Sequence, residues 1–549
     1  MIRKLILAVF VFCSCALSAR QLSVAEAIDR FKSGAADARR SFGADEPLLC
    51  YTAEQDGYNL MYVVNRGDGM GFYILSADDC APAVLGYSDN GDFEYHSIPP
   101  QMKWWLSQYS KSILNAILEG TALPEPQTVV NAVSPLLTCT WGQDAPYNAL
   151  CTDMGYLSVT GCVATAMAQI MYFHKYPAKG YGVCSYECKG TTITSRLVDH
   201  EYQWSLMQDD YTKTATGDAA DAVALLMRDC GVSVNMEYTA QESGTSAFYV
   251  APALYGNFAY DKGVQIVQRL FYSDEQWETM IMDELSAGRP ILYTGQSNSG
   301  GHAFVMDGVD ADGYYHINWG WRGSYNGYFL VTGQHALTPN GTGIGGGAAG
   351  DSYDQDQMMI LGIRPDAGTA SCTVTLSSPD GLTATVDPTD TGTIGLNMGF
   401  HNTGVCNITN LSLGLQFKRK STGTKSTMEI GSVGTLKVMY GNDFTYTLSC
   451  ENLDDDEYEF YSVYTTSTGR TKKWKEITLP YGWVLPRVRV QNHVATVLEP
   501  GHVTGIGDIV YKVSDSGNSN GTYDLSGRKV NDTTRPGIYI QNGRKIIKQ

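Results

Sequence analysis

The chain has 549 residues, of which 43% are apolar and only 17% are Asp, Glu, Lys or Arg. That is too apolar and too weakly charged for a disordered or coiled-coil protein, and at roughly 100–200 residues per domain the length implies about three or four domains. The 39 basic and 57 acidic side chains leave a net charge of −18, an acidic surface that repels phosphate and argues against a nucleic-acid partner.

Arg3 and Lys4 precede an apolar run from Leu5 to Phe12 and the small residues Ser14, Cys15, Ala16, Ser18 and Ala19. A basic start, a short apolar stretch and a small-residue end describe a secretory signal peptide over residues 1–19. The run is shorter than the ~18 residues a membrane span needs, and no longer one follows. Loss of this segment takes Cys13 and Cys15, leaving 11 of 13 cysteines, an odd number in which at least one thiol is unpaired or pairs between molecules.

Residues 20–130 read as a small α+β unit. Tyr58–Asn65 and Gly71–Ala77 are strand-like, and Asp89-Asn90-Gly91 is a turn. Met102, Trp105, Leu106, Tyr109, Ile113, Ala116 and Ile117 recur at helical spacing, with Gly120 where a C-terminal cap belongs. Leu123-Pro124-Glu125-Pro126-Gln127 follows as a stiff, exposed connector, a natural nicking site. Residues 131–365 mix helical and strand patterns. Residues 370–500 turn to short runs of Val, Thr, Leu, Tyr and Phe between turns such as Pro379-Asp380-Gly381 and Tyr440-Gly441-Asn442, the pattern of an Ig-like antiparallel β-sandwich. Residues 505–549 are a Ser/Gly/Asn-rich linker and a few short strands; the last 29 residues carry a net charge of +4 and the remainder −22.

Two segments of the central unit carry chemistry. In Thr160-Gly161-Cys162-Val163-Ala164-Thr165-Ala166-Met167-Ala168-Gln169-Ile170-Met171 the apolar residues fall at helical spacing. With Thr160 as N-cap, Cys162 sits in the first turn, where free N–H groups and the helix dipole favour a nucleophilic thiolate. In the second segment, a strand through Gly300-Gly301-His302-Ala303-Phe304-Val305-Met306 runs to the turn Asp310-Ala311-Asp312-Gly313 and returns through Tyr314-Tyr315-His316-Ile317-Asn318-Trp319. His302 and Asn318 are equidistant from residue 310, so a hairpin on this turn brings them together. An imidazole held by an amide or an indole is the general base of a cysteine hydrolase. Asn318 and Trp319 point to opposite faces of their strand, and the register decides which of them meets the imidazole. Upstream, Gln143 in Trp141-Gly142-Gln143-Asp144-Ala145-Pro146-Tyr147-Asn148 has a side-chain amide that, with the Cys162 N–H, could form an oxyanion hole.

These motifs resemble the streptopain family of secreted bacterial papain-like cysteine peptidases. The resemblance rests on Gly161-Cys162-Val163-Ala164-Thr165-Ala166 with Gln169-Ile170-Met171, and on Gly301-His302-Ala303-Phe304-Val305 with His316-Ile317-Asn318-Trp319-Gly320-Trp321. It extends to Gln143 with Pro146-Tyr147-Asn148, to the glycine-rich stretch Gly341 to Gly350, and to Ile74-Leu75-Ser76-Ala77-Asp78 and Val84-Leu85-Gly86-Tyr87-Ser88. It implies an α+β, papain-like peptidase domain over residues 131–365 and an inhibitory α+β prodomain over residues 20–130, cut near residues 124–133. It also implies endopeptidase action on protein or peptide substrates, with Cys162 as nucleophile, His302 as general base and acid, Gln143 at the oxyanion and Asn318 or Trp319 holding the imidazole. Unlike the family's best-known member, this unit carries Cys139, Cys151, Cys184, Cys188 and Cys230 besides Cys162, with Cys139–Cys151 and Cys184–Cys188 as open pairings. Asp524-Leu525-Ser526-Gly527-Arg528-Lys529-Val530 and Gly537-Ile538-Tyr539-Ile540 resemble the C-terminal sorting domain of type IX secretion, which implies secretion or display on the outer surface of a Gram-negative bacterium.

The chain has no His-Glu-x-x-His, no second ligand pair beside Cys184 and Cys188, no phosphate cradle and no serine nucleophile elbow, so neither a metal nor another cofactor is expected. The rival reading is a catalytically inert adhesin on a peptidase fold, which differs from the enzyme at Cys162.

Overall fold

The computed structural model describes residues 20–34, 47–129, 131–213, 216–297, 300–331, 355–368, 372, 374–469 and 471–503, and three strands beyond them. The signal-peptide residues 1–19, the stretch Gly341 to Gly350 and residues 525–530 of the sorting motif lie outside the described residues. The chain divides into two compact units, Met1–Gly505 and Ile506–Gln549.

The first unit opens with α1 (Val24–Gly34), β1 (Leu48–Gln55), β2 (Tyr58–Asn65), β3 (Phe72–Ser76), β4 (Val84–Ser88) and α2 (Pro100–Glu119). Proline at the first position of α2 costs no hydrogen bond, and Gly120 ends the helix in the left-handed conformation, φ 66°, with its N–H to Ala116 O and Ile117 O. Next come α3 (Cys162–His174), β5 (Cys184–Cys188), β6 (Thr191–Ser195), α4 (Asp218–Ser233), α5 (Val250–Phe258), β7 (Gln265–Gln268) and α6 (Asp274–Ser286). The strands β8 (Ile291–Ser297), β9 (Gly300–Val309), β10 (Tyr315–Asn318), β11 (Gly327–Phe329) and β12 (Gln355–Leu361) complete this part.

The β1–β4 strands and β7–β12 form one ten-stranded sheet, in the order β1-β2-β3-β4-β11-β10-β9-β8-β12-β7. The seam is β4 against β11, where Tyr87 and Gly86 face Tyr328 and Phe329. Tyr87 stacks on Tyr328 at 5.2 Å and donates to Asp310 Oδ2 at 2.7 Å, while the Tyr109 hydroxyl lies 2.6 Å from Leu85 O and 2.8 Å from Leu330 O. Residues 48–88, read from sequence as part of a separate covering unit, thus extend the same sheet as β7–β12 and share its core. Alternation along the strands divides that core in two. Tyr293, Phe304, Met306 and Met359 pack with Trp104 and Trp105 of α2 and Trp277 of α6, whereas Leu292, Ala303, Val305 and Ile360 pack with α3, α4 and α5.

From Leu376 to Val503 the chain forms two larger antiparallel sheets and a two-stranded pair of Trp483–Val484 with His502–Val503. One is built around Asp390–Asn402, the other around Ile408–Arg419 and Asp456–Thr465, and the core between them includes Leu396, Leu415, Leu448, Phe460 and Val488. Val405 of this part is buried in the α3-side core, and the Tyr481 N–H donates to Leu270 O at 2.9 Å. The structure forms neither of the open cysteine pairings. Cys139, Cys151, Cys184 and Cys188 are free thiols, Cys184 and Cys188 standing at the two ends of the single strand β5, and the disulfide joins Cys372 to Cys406. In the second unit, Thr522–Asp524, Gly537–Gln541 and Arg544–Lys548 form a three-stranded antiparallel sheet. Among the described residues, no helix is long and apolar enough to cross a membrane.

Candidate active site

Helix α3 is apolar and alanine-rich, and every residue from Cys162 to Tyr172 is buried, so it runs through the core rather than along the surface. Its N-cap is Gly161, not Thr160. The Thr160 hydroxyl is fully buried and spent on Thr165 Oγ1 at 2.9 Å, so it cannot cap the helix. Gly161 adopts φ 85°, and a Cβ there would lie 2.7 Å from Met236 Sδ and 2.9 Å from Ser243 O, so only glycine fits. Cys162 is the first helical residue, as the first-turn expectation required, and the residue is 9% exposed. Strand β10 ends opposite Val305, and beyond it the Ala303 N–H donates to Cys162 Sγ at 3.4 Å. Burial pushes the thiol pKa up, while the N–H groups of Ala303, Val163 and Cys162 pull it down without overcoming the burial.

His302 is the neighbour of that N–H on β9 and is 8% exposed. The β8–β9 register is regular here, pairing Gly295 with His302, Thr294 with Ala303 and Tyr293 with Phe304. Alternation therefore puts His302 on the face of Phe304 and Met306, the side covered by α2, whereas Cys162 arrives from the α3 side. The α2 cover is close. A Cβ on Gly295, the cross-strand partner of His302, would lie 2.2 Å from Cζ2 of Trp104. Desolvation lowers the His302 pKa to about 4, so at neutral pH both the imidazole and the thiol are uncharged.

The hairpin register differs from the symmetric one. Asp310 N–H bonds to Tyr314 O at 2.9 Å and a bulge falls between His316 and Ile317, so Asn318 pairs with Val305 instead of His302. Asn318 is committed elsewhere: its Nδ2 donates to Cys139 O at 2.9 Å, and its Oδ1 accepts from Gln169 Nε2 at 3.3 Å and Gly320 N–H at 3.0 Å. Its role here is to tie α3 to the end of β10. Trp319 is fully buried on the α2 side, against Phe304 at 5.1 Å and Trp105 at 6.1 Å, with Nε1 donating to Tyr325 O at 2.8 Å. Trp321, read in the sequence only as part of a motif, is 38% exposed. Gln143 is half-buried, and its carbonyl accepts the Thr160 N–H at 3.0 Å, two residues before Cys162. The Arg322 N–H donates to Trp141 O at 3.1 Å, so the Gln143 segment lies between the Trp319–Arg322 loop and the start of α3.

Trp104 is the residue that sequence reasoning missed. Its signal was the adjacent pair Trp104-Trp105, since one amphipathic stripe accommodates only one of two consecutive indoles and both are buried. Among the described residues, no group of three or more His, Cys, Asp or Glu side chains is arranged to hold a metal ion.

The Peptidase C10 family model matches residues 141–329 and the Spi protease inhibitor model matches residues 35–113. The thiol protease/hemagglutinin PrtT of Porphyromonas gingivalis is 35% identical over 341 residues, 58% of this chain and 39% of that protein, so the chain matches well under half of PrtT. Streptopain of Streptococcus pyogenes is 34% identical over 335 residues, 57% of this chain and 82% of streptopain. Among solved structures, a prointerpain A fragment of Prevotella intermedia is 32% identical with a TM-score of 0.51, covering 58% of this chain and 100% of the fragment. With a thiol at the start of a buried helix beside a histidine strand, and with streptopain matched over most of its length, this chain belongs to the Peptidase C10 family of cysteine peptidases.

Proposed function

We propose that the protein is an exported endopeptidase made as a zymogen, with Cys162 as nucleophile and His302 as general base and acid. The observation that carries this reading is the Ala303 N–H on Cys162 Sγ, which fixes the thiol at the residue next to His302. The chemistry requires the Cys162 S–H proton to pass to an imidazole nitrogen of His302 and the thiolate to attack the peptide carbonyl carbon. Charge then gathers on the carbonyl oxygen, for which the Gln143 side-chain amide and the Cys162 N–H are the proposed donors. The imidazolium gives its proton to the departing amine, leaving a thioester that water, deprotonated by His302, hydrolyses to free acid and thiol.

In the latent chain the two groups approach from opposite sides of β9 and both are neutral, which supports residues 20–130 as the inhibitory segment. Trp104 of α2 occupies the face that bears His302. Cleavage in the connector near residues 124–133 and loss of α2 would free the start of β9 to turn the imidazole toward sulfur. Asn318 then acts by holding α3 against β10, since its amide is already engaged, and Trp319 by packing under Phe304. The remaining domains are proposed as a peptidase domain over 131–365, a β-sandwich over 370–500 and a sorting domain over 505–549, with residues 1–19 as the export signal and the outer surface of a Gram-negative bacterium as destination. The test is hydrolysis of casein by the processed enzyme: a thiol alkylator should block it, and full activity of the unprocessed chain would remove the zymogen part of the reading.

A further inference from the structure

Beside the start of α3 lies a turn that neither the family motifs nor the proposed chemistry uses. Residues 237–244 fold back on themselves, with Glu237 and Gly244 exchanging backbone hydrogen bonds. The turn is fastened to the nucleophile segment: the Val159 N–H donates to Thr239 O at 3.1 Å and Ser243 Oγ donates to Val159 O at 2.8 Å. The Ser243 carbonyl lies 2.9 Å from where a Cβ of Gly161 would be, so the turn packs directly against the residue that precedes Cys162. Glu242 is exposed, its backbone N–H donating to Thr239 Oγ1 at 2.8 Å, and among the described residues its carboxylate has no ion-pair partner. Glu242 is near enough that its negative charge adds, after burial, to what raises the Cys162 thiol pKa.

We propose that Glu242 is a specificity-determining residue that favours substrates with Lys or Arg beside the scissile bond. The inference rests on the endopeptidase reading of Cys162 and His302. An exposed carboxylate on the turn that packs against the nucleophile segment attracts a cationic side chain and repels an anionic one before the peptide carbonyl reaches the sulfur. The chain's own connector suits the opposite case: between Gly120 and Val133 its only charged side chain is Glu125, with no Lys or Arg. Glu242 therefore makes the connector a disfavoured substrate, which slows self-processing relative to cleavage of basic targets.

The test compares kcat/KM of the processed enzyme for matched peptides carrying Arg, norleucine or Glu at each position flanking the scissile bond. At low salt the Arg peptide should lead the norleucine peptide by up to about fivefold at one position, the upper end expected of an exposed ion pair. E242Q should bring that ratio close to one, and E242K should invert it while speeding cleavage of a peptide that copies residues 121–133. Raising the salt to about 0.5 M should erase the wild-type preference, since screening acts on exposed charges over a Debye length. If the wild-type enzyme hydrolyses the peptides but its Arg-to-norleucine ratio is the same in E242Q, the inference is overturned and the peptidase reading stands. A wild-type enzyme that hydrolyses none of them overturns the peptidase reading itself. Should E242Q misfold, the wild type alone decides, because a ratio that does not respond to salt removes Glu242 from the explanation.

Discussion

Trp104→Ala tests the proposed latency at its most local point. The indole is 1% exposed, lies edge-on to Trp105 with ring centres 5.8 Å apart, tilts on Phe304 at 6.2 Å and fills the space over Gly295. Truncating a buried Trp to Ala costs about 3–5 kcal/mol through lost burial and the cavity left behind. On the proposed zymogen reading the indole belongs to the segment that is removed, and its contacts include Phe304 on the His302 strand, so the loss falls on the closed state. At about 1.4 kcal/mol per factor of ten, the open population should rise by about two to three and a half orders of magnitude. The assay follows the unprocessed full-length chain, measuring peptide hydrolysis in the first minutes and alkylation of Cys162 by mass spectrometry of its tryptic peptide. Both should accelerate far above wild type, and processed enzyme from the two genes should be indistinguishable because it no longer contains residue 104. A variant whose melting temperature falls as expected while its latency stays at the wild-type level would refute α2 as the element that holds His302 away from Cys162.

Gly295→Ala makes the complementary perturbation, since the added methyl meets the Trp104 ring at 2.2 Å. It should destabilise the unprocessed chain and spare the processed one, and in the Trp104→Ala background its effect should shrink, a coupling that a double-mutant cycle on melting temperatures measures. Gly161→Ala should abolish activity with or without the prodomain, because φ 85° and contact with Met236 Sδ and Ser243 O make the nucleophile turn intolerant of a Cβ; peptide hydrolysis within a few-fold of wild type would contradict it. The acid response follows from His302 and His174, whose pKa values burial lowers from 6.5 to about 4. Between those values the unfolded imidazoles bind protons that the folded ones refuse, so stability of the unprocessed chain should fall as pH drops from 6.5 to 4 and gain nothing above 6.5. His302 alone accounts for up to about 3 kcal/mol of this, and His302→Gln should remove its share of the slope in urea titrations across that window.

Much of the local architecture could be read from the residues. The apolar spacing from Met102 to Ile117 and the glycine after it gave α2 its span and its stop, and Cys162 falls in a first helical turn as expected. Features that depend on distant partners escaped. The β4–β11 pairing joins strands about 240 residues apart, so a unit that looks self-contained in the sequence turned out to share one sheet with the peptidase. Symmetry about residue 310 misplaced Asn318 because one bulge moves the register and the hairpin closes between Asp310 and Tyr314. Thr160 has the side chain of an N-cap, yet its hydroxyl is captured by Thr165, a contact one helical turn away that composition does not reveal. The disulfide was equally out of reach: of 13 cysteines, Cys372 and Cys406 are brought together by the course of the β-sandwich, while Cys139, Cys151, Cys184 and Cys188 are free thiols.

The measurement that bears most directly on the whole account is hydrolysis of casein by the chain freed of its first ~130 residues, compared between wild type and Cys162→Ala. The account expects turnover in the wild type, full block by a thiol alkylator that modifies Cys162, and none in Cys162→Ala although its fold and melting temperature are retained. Persistent casein hydrolysis by Cys162→Ala would contradict it.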